Sequence, residues 1–257
     1  MITNLVVLLL FIHHIYGFIL SPSIMIVNGI NNQLGDRPFI VSLQMNHKHI
    51  CGGTIINPNR IITAAHCVFN INNISLLTAV AGVVSLSDHH AGSKQERNVL
   101  QVVVYPEFNW HWITNDLAIL VVDSPFIFGL NVRPINLPPA EYNTTGMTGT
   151  ISGWGATQVN GILSDRLKST SIHIISNDEC YDYFGDDVDQ AWLCTMQLPS
   201  SLCDACTGDS GGPLVCNDLF LCGIISSGIG CGYSTFPAVY TRVSYFHDWI
   251  RNSLTFQ

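Results

Sequence analysis

The chain has 257 residues, enough for one large domain or two small ones around a well-buried core. Only 11% of its residues are charged, against roughly a quarter in an average globular protein, and the balance is acidic at −8. It has no basic cluster, which excludes a nucleic-acid partner, since that binding needs a concentrated positive footprint.

The first 25 residues carry no charged side chain. The apolar run "LVVLLLFI" from Leu5 to Ile12 is too short to span a bilayer and reads as the core of a secretory signal, residues 1–17, cut after Gly17. No later stretch is long and apolar enough to cross a membrane, so none is expected. Nine cysteines suit an oxidising compartment. Asn73 and Asn143 open N-glycosylation sequons, and the whole indicates a secreted, extracellular protein.

Beyond residue 25 the chain is a succession of short β-rich segments. "FIVSLQM", "GGTIINPNRIITAA", "LLTAVAGVVSL", "RNVLQVVVY" and "DLAILVVD" come first. After a Pro- and Asn-containing seam, Ser124 to Pro139, follow "GTISGW", "LKSTSIHIIS", "GGPLVC", "LCGIIS" and "AVYTRVS". Alternation, β-branched residues and Gly/Pro/Asn punctuation predict an all-β barrel or sandwich. In "VSYFHDWIRNSL" Tyr245, Trp249 and Ile250 fall at helical spacing, predicting a C-terminal amphipathic helix.

The chemistry centres on "CDACTGDSGGP", residues 203–213: one serine flanked by two aspartates in a glycine-rich turn. A serine hydroxyl is a weak nucleophile until a base takes its proton and a third group fixes that base. Taken singly, His66, Asp116 and Ser210 each have a bland reading: a structural histidine, an Asx turn, a turn residue. Together, His66 in "TAAHC", Asp116 in "NDLAIL" and Ser210 in "GDSGGP", with "CGGTII", "SGWG" and "AVYTRV" in order, resemble the trypsin/chymotrypsin-like serine peptidases, trypsin-like members above all. The likeness runs from Ile26 to about Ile250.

That resemblance implies two six-stranded antiparallel β-barrels, about 26–130 and 131–243, and a C-terminal α-helix over about 244–253. It implies an endopeptidase in which Ser210 attacks the scissile carbonyl, His66 carries the proton and Asp116 orients His66, with the amides of Gly208 and Ser210 as the oxyanion hole. Asp204, six residues before Ser210, matches the floor of a pocket for Arg or Lys, with Gly228 and Ala238 on its walls. Cleavage before Ile26 would free an amine to pair with Asp209, making residues 18–25 a propeptide and 26–257 the peptidase domain.

Three departures stand out. Met25 occupies the place of the usual Arg or Lys, so a processing enzyme that accepts an apolar residue is implied. Ser227 replaces a large aromatic, and Ala238 stands where glycine is usual, narrowing the slot. These leave a competing reading open, a catalytically weak or silent homologue that works by binding protein.

The resemblance also implies the disulfides Cys51–Cys67, Cys180–Cys194 and Cys206–Cys231. The usual distant partner of Cys216 is absent, so a bond across the "NDLFL" hairpin to Cys222 is inferred, leaving Cys203 as a buried thiol or a link to another chain. The stretch 81–96 offers only Asp88 and Glu96, too few acids for calcium, and the histidines at 47–49 and 89–90 read as exposed loop residues. No metal or cofactor is expected, and the partners are peptide or protein substrates and proteinaceous inhibitors of a monomer.

Overall fold

A computed structural model describes residues 29–158, 160–198, 204–228 and 236–254. The signal, the propeptide, Met25, Ile26, Cys203 and Cys231 lie outside the described residues.

After a short β1 (Ile30–Asn31), the strands β2 (Ile40–Met45), β3 (Lys48–Asn57), β4 (Arg60–Thr63), β5 (Leu77–Ala81), β6 (Gln95–Val104) and β7 (Ala118–Val122) close into an antiparallel barrel. Its order is β2-β3-β4-β7-β6-β5. Then β8 (Thr148–Gly153), β9 (Lys168–Ile174), β10 (Trp192–Met196), β11 (Pro213–Cys216), β12 (Phe220–Ser227) and β13 (Ala238–Arg242) form a second six-stranded ring, closed by the β8–β9 pairing. Helix α1 (Asn177–Phe184) precedes β10, and α2 (His247–Ser253) follows β13.

Local chemistry sets these elements. Asn46 and His47 both have positive φ in the two-residue turn between β2 and β3, where Met45 opposes Lys48. That is the turn whose twist suits a hairpin, and asparagine tolerates it. The N-cap Ser176 and Glu179 close a reciprocal capping box at the start of α1.

Two expectations need correcting. The chain entering the first barrel begins with β1, which pairs with β9 of the second, Ile30 opposite Ser169. Asn32 then hydrogen-bonds Ser169 at 2.8 Å, so this arm is tied across the molecule. The C-terminal helix starts at His247, and Tyr245, expected on its apolar stripe, is 55% exposed. The stripe that packs is Phe246, Trp249 and Ile250, and the rings of Phe246 and Trp249 meet Tyr105 edge-on at 4.8 and 5.3 Å. Tyr105 follows β6 directly, so the last helix clamps the first barrel to the second; a buried side chain of this size contributes roughly 1.5–3 kcal/mol.

Cys51–Cys67, Cys180–Cys194 and Cys216–Cys222 are bonded, with Cα separations of 6.2, 6.1 and 5.9 Å. Cys206 is also disulfide-bonded. Asn73 and Asn143 are exposed, each accepting an amide two residues on. Among the described residues no helix is long and apolar enough to cross a membrane.

Candidate active site

The two barrels meet along one buried cluster, with Ile62, Ala64 and Ile119 from the first and Trp154, Val215 and Ile224 from the second. His66 sits at its edge in a 3-10 turn, Ala65–Cys67, directly after β4 and pinned by the Cys51–Cys67 bond. Asp116, 2% exposed, precedes β7. Ser210 lies in the turn before β11.

Asp116 is held from four directions. Its Oδ1 accepts the backbone N–H of His66 at 2.8 Å, and Oδ2 accepts from His66 Nδ1 at 2.7 Å and from the Ser226 hydroxyl at 2.5 Å. Thr241 donates to its carbonyl at 2.7 Å. A buried carboxylate with this many donors is held in one orientation. With Nδ1–H donating to Asp116, His66 is held in the tautomer whose Nε2 lone pair can accept a proton. Among the described residues Ser210 Oγ makes no hydrogen bond to His66; such contacts in ligand-free sites tighten when substrate seats. Cys51 and Cys67 sulfurs flank His66, yet they are bonded to each other and offer no thiolate to a metal.

The turn before Ser210 leaves two backbone donors unused among the described residues. Gly208 has φ +96, a left-handed conformation glycine adopts without strain. Among the described residues the amide N–H groups of Gly208 and Ser210 have no acceptor, while those of Asp209, Gly211 and Gly212 are used by backbone carbonyls. The Gly208 carbonyl accepts from His49 Nε2 at 2.9 Å. This corrects the reading of His49 as an exposed loop histidine. His49 lies in β3 with its ring edge-on to Trp154, Ser42 meets its Nδ1 at 2.8 Å, and burial lowers its pKa. His47, His89 and His90 are exposed.

Asp209 points away from solvent, 1% exposed, into a chamber formed by "SGWG". Its Oδ1 accepts Gly155 N–H at 2.7 Å and Oδ2 accepts Cys206 N–H at 3.0 Å. A Cβ at either Gly153 or Gly155 would fall on this carboxylate, which is why the motif carries glycine twice. Burial pushes the Asp209 pKa up to about 7.

Beside Ser210 opens a pocket of about 390 Å³ lined by Asp204, Ala205, Ser226, Ser227, Gly228, Ala238 and Tyr240 among others. Asp204 is 4% exposed, accepts Ala205 N–H at 2.8 Å, and has its pKa raised by burial to about 6. The Ala238 methyl lies 3.5 Å from where a side chain on Gly228 would begin, so these two positions set the slot's width. Sequence reasoning missed the roles of Ser226 and His49, and Asn160 and Tyr240 in the pocket lining. The first two were legible only as neighbours, Ser226 one residue before Ser227 and His49 two before Cys51.

Comparison with known proteins agrees with this geometry. The family model described as Trypsin matches residues 26–250. Trypsin-1 of Astacus astacus is 36% identical over 236 residues, covering 88% of this chain and 98% of that protein. The suppressor of tumorigenicity 14 protein homolog of Bos taurus is 35% identical and transmembrane protease serine 11G of Mus musculus 33%, over 88% and 92% of this chain. The chain spans only 28% and 57% of those two longer proteins. Among solved structures, human heparin binding protein superposes with a TM-score of 0.79 at 27% identity, covering 89% of this chain and 96% of its own. Two closed barrels, the matched family model and a crayfish trypsin aligned nearly end to end lead to one assignment: the chain belongs to the trypsin family and is a trypsin-like serine endopeptidase.

Proposed function

We propose that the protein is a secreted endopeptidase that cuts after Arg or Lys and is switched on by cleavage before Ile26. In this reading Ser210 Oγ attacks the scissile carbonyl as His66 takes its proton, and the carbonyl oxygen becomes an oxyanion held by the Gly208 and Ser210 amides. His66, steadied by Asp116, returns the proton to the leaving amine, and water then releases the acyl group from Ser210. The observation that carries the specificity is Asp204: a buried carboxylate lining the same pocket as Ser210, which would select a long cationic side chain.

The proposed precursor has a signal at 1–17 and a propeptide at 18–25, and its mature part, 26–257, is monomeric and glycosylated at Asn73 and Asn143. The amine freed at Ile26 pairs with Asp209, whose buried carboxylate otherwise stands uncompensated. Met25 assigns that cut to a protease that accepts an apolar residue.

Ser227 and Ala238 at the pocket favour a second reading, a homologue that binds protein without cutting. One experiment separates them. The protein is made with Ile26 as a free N-terminus, then tested for fluorophosphonate labelling and for hydrolysis of Arg, Lys and Phe substrates. Labelling with Arg and Lys turnover is expected. A folded sample that takes no label supports the binding homologue, and a preference for Phe overturns the role of Asp204.

A further inference from the structure

A second groove, of about 690 Å³, shares no residue with the cleft beside Ser210. It is lined from the loop 140–145 ahead of β8, from Asn177 of α1, and from the segment 242–248 that carries β13 into α2. Its volume falls in the range of about 300–1,000 Å³ usual for small-ligand sites. Apart from Ala140, every lining side chain carries a hydrogen-bonding group, and the charges are of both signs, Arg242 against Glu141 and Asp248. That composition suits a neutral, hydroxyl-rich ligand better than an apolar peptide or an ion of one sign.

Part of the wall is set before anything binds. Arg242 Nε donates to the carbonyls of Gln190 and Trp192, both at 3.0 Å, and Nη2 donates to Asn177 Oδ1 at 2.5 Å. Asn177 Nδ2 in turn donates to the Asp189 carbonyl at 2.8 Å. Such a site loses less freedom when it fills. Tyr245 also lines the groove and is half-exposed, although its neighbours Ser244 and Phe246 are buried. A sugar uses both features, a flat ring for its C–H face and fixed polar groups for its hydroxyls.

The groove also holds a point of attachment. Asn143 lines it, is exposed, and opens the sequon Asn143-Thr144-Thr145. Its Oδ1 accepts Thr145 N–H at 3.0 Å, which fixes the side-chain amide and leaves Nδ2, the atom that takes a glycan, outside that bond. We propose that the groove seats the first sugars of an N-glycan on Asn143, packed on Tyr245, so that the chain carries a carbohydrate site together with its ligand. The inference rests on glycosylation at Asn143. In that transfer the Nδ2–C1 bond forms as the sugar's C1–O bond to a lipid pyrophosphate breaks, and Nδ2 gives up a proton. A ligand tethered so closely has an effective concentration on the order of millimolar, so weak sugar contacts suffice to fill the site. Asn73, the other sequon, is not part of this groove; its Oδ1 is taken by both the N–H and the hydroxyl of Ser75, and it serves as the control.

The test uses the full chain secreted from a eukaryotic host, with occupancy of Asn73 and Asn143 read by peptide mass. On the native protein, an amide-cleaving glycosidase should release the Asn143 glycan about tenfold more slowly than the Asn73 glycan, the worth of roughly one hydrogen bond. Tyr245→Ala should bring the two rates together, and Tyr245→Phe, which keeps the ring, should not. Tyr245→Ala should also lower the melting temperature by about 2–4 °C in the glycosylated chain and by less in an Asn143→Gln background. With Asn143 occupied, equal release rates in the parent, a difference untouched by Tyr245→Ala, or the same melting loss in both backgrounds overturns the groove and leaves the glycosylation standing. Asn143 found bare on the secreted protein overturns both.

Discussion

His49 holds the Gly208 carbonyl at 2.9 Å with Nε2, while Ser42 meets its Nδ1 at 2.8 Å. A carbonyl only accepts, so Nε2 carries the proton and Nδ1 accepts from the serine hydroxyl. That bond fixes the Gly208–Asp209 peptide, whose N–H goes to the Cys206 carbonyl at 2.9 Å, and so restrains the turn that carries the Gly208 amide. Replacing His49 with Ala should therefore lower kcat with little change in KM. The loss should be about tenfold, below the roughly hundred- to thousandfold cost of deleting an oxyanion donor. An unchanged kcat in a folded His49→Ala protein would show that the loop keeps its shape unaided. Burial lowers the His49 pKa, so its contribution to stability is complete above the ordinary value of 6.5 and is lost as pH falls through the depressed one.

Gly155 approaches Asp209 so closely that its own N–H binds Oδ1 at 2.7 Å and a methyl in its place would occupy the carboxylate. The acid has no exit, since it is 1% exposed. Gly155→Ala should destabilise the fold by about 1–3 kcal/mol, the usual cost of overpacking. In thermal melts that corresponds to about 2–4 °C per kcal/mol for a domain of this size. Adding Asp209→Ala should recover much of the lost melting temperature, since it removes the group the methyl strikes. Failure of that recovery would place the damage elsewhere.

The contrast between Gly155 and His49 shows what the sequence can carry. Strand alternation and turn residues located most of the strands, while the two barrels followed from the resemblance, and "SGWG" or "GDSGGP" marked local turns because a short loop contains its own physics. What was not legible was contact across the fold. His49 meets Gly208 at a separation of 159 residues, and Ser226 meets Asp116 at 110. Neither neighbour is implied by local period or composition. Tyr245 shows the opposite failure: helical spacing placed it on the buried stripe, but α2 begins after it and packing selects Phe246. β1 went unread for a like reason, since a two-residue strand shows no period and its partner lies on β9.

Asp209 makes the uncut chain sensitive to pH in a defined direction. Its pKa is raised to about 7 by burial, with the N–H groups of Cys206 and Gly155 opposing and Asp204 adding to the rise. A raised carboxyl pKa means the fold prefers the neutral acid. The stabilisation is complete below the ordinary value of 3.8 and is lost as pH rises through about 7. The precursor should melt at a lower temperature at pH 8 than at pH 5, and Asp209→Asn should shrink that difference. After cleavage the Ile26 amine would neutralise the carboxylate and remove the penalty, so the same substitution should cripple the processed enzyme. A precursor whose melting temperature responds to pH identically with and without Asp209 would contradict the switch.

Asp204 should leave its own mark on the pH profile. Burial raises its pKa to about 6, against the donated hydrogen bond from Ala205 and the pull of Gln197. Below that value the pocket base is neutral and loses its attraction for a cation. Since kcat/KM reports the ionisations of the free enzyme, kcat/KM for an Arg substrate should fall on the acid side of about pH 6. The proton on His66 affects every substrate alike, so it cancels when the Arg value is divided by that for a neutral side chain in the same position. The ratio should still fall with acidification and should become flat in Asp204→Asn. A flat ratio in the parent enzyme would mean that the carboxylate does not meet the substrate's charge. An acid limb that survives Asp204→Asn would assign the titration to another group in the cleft.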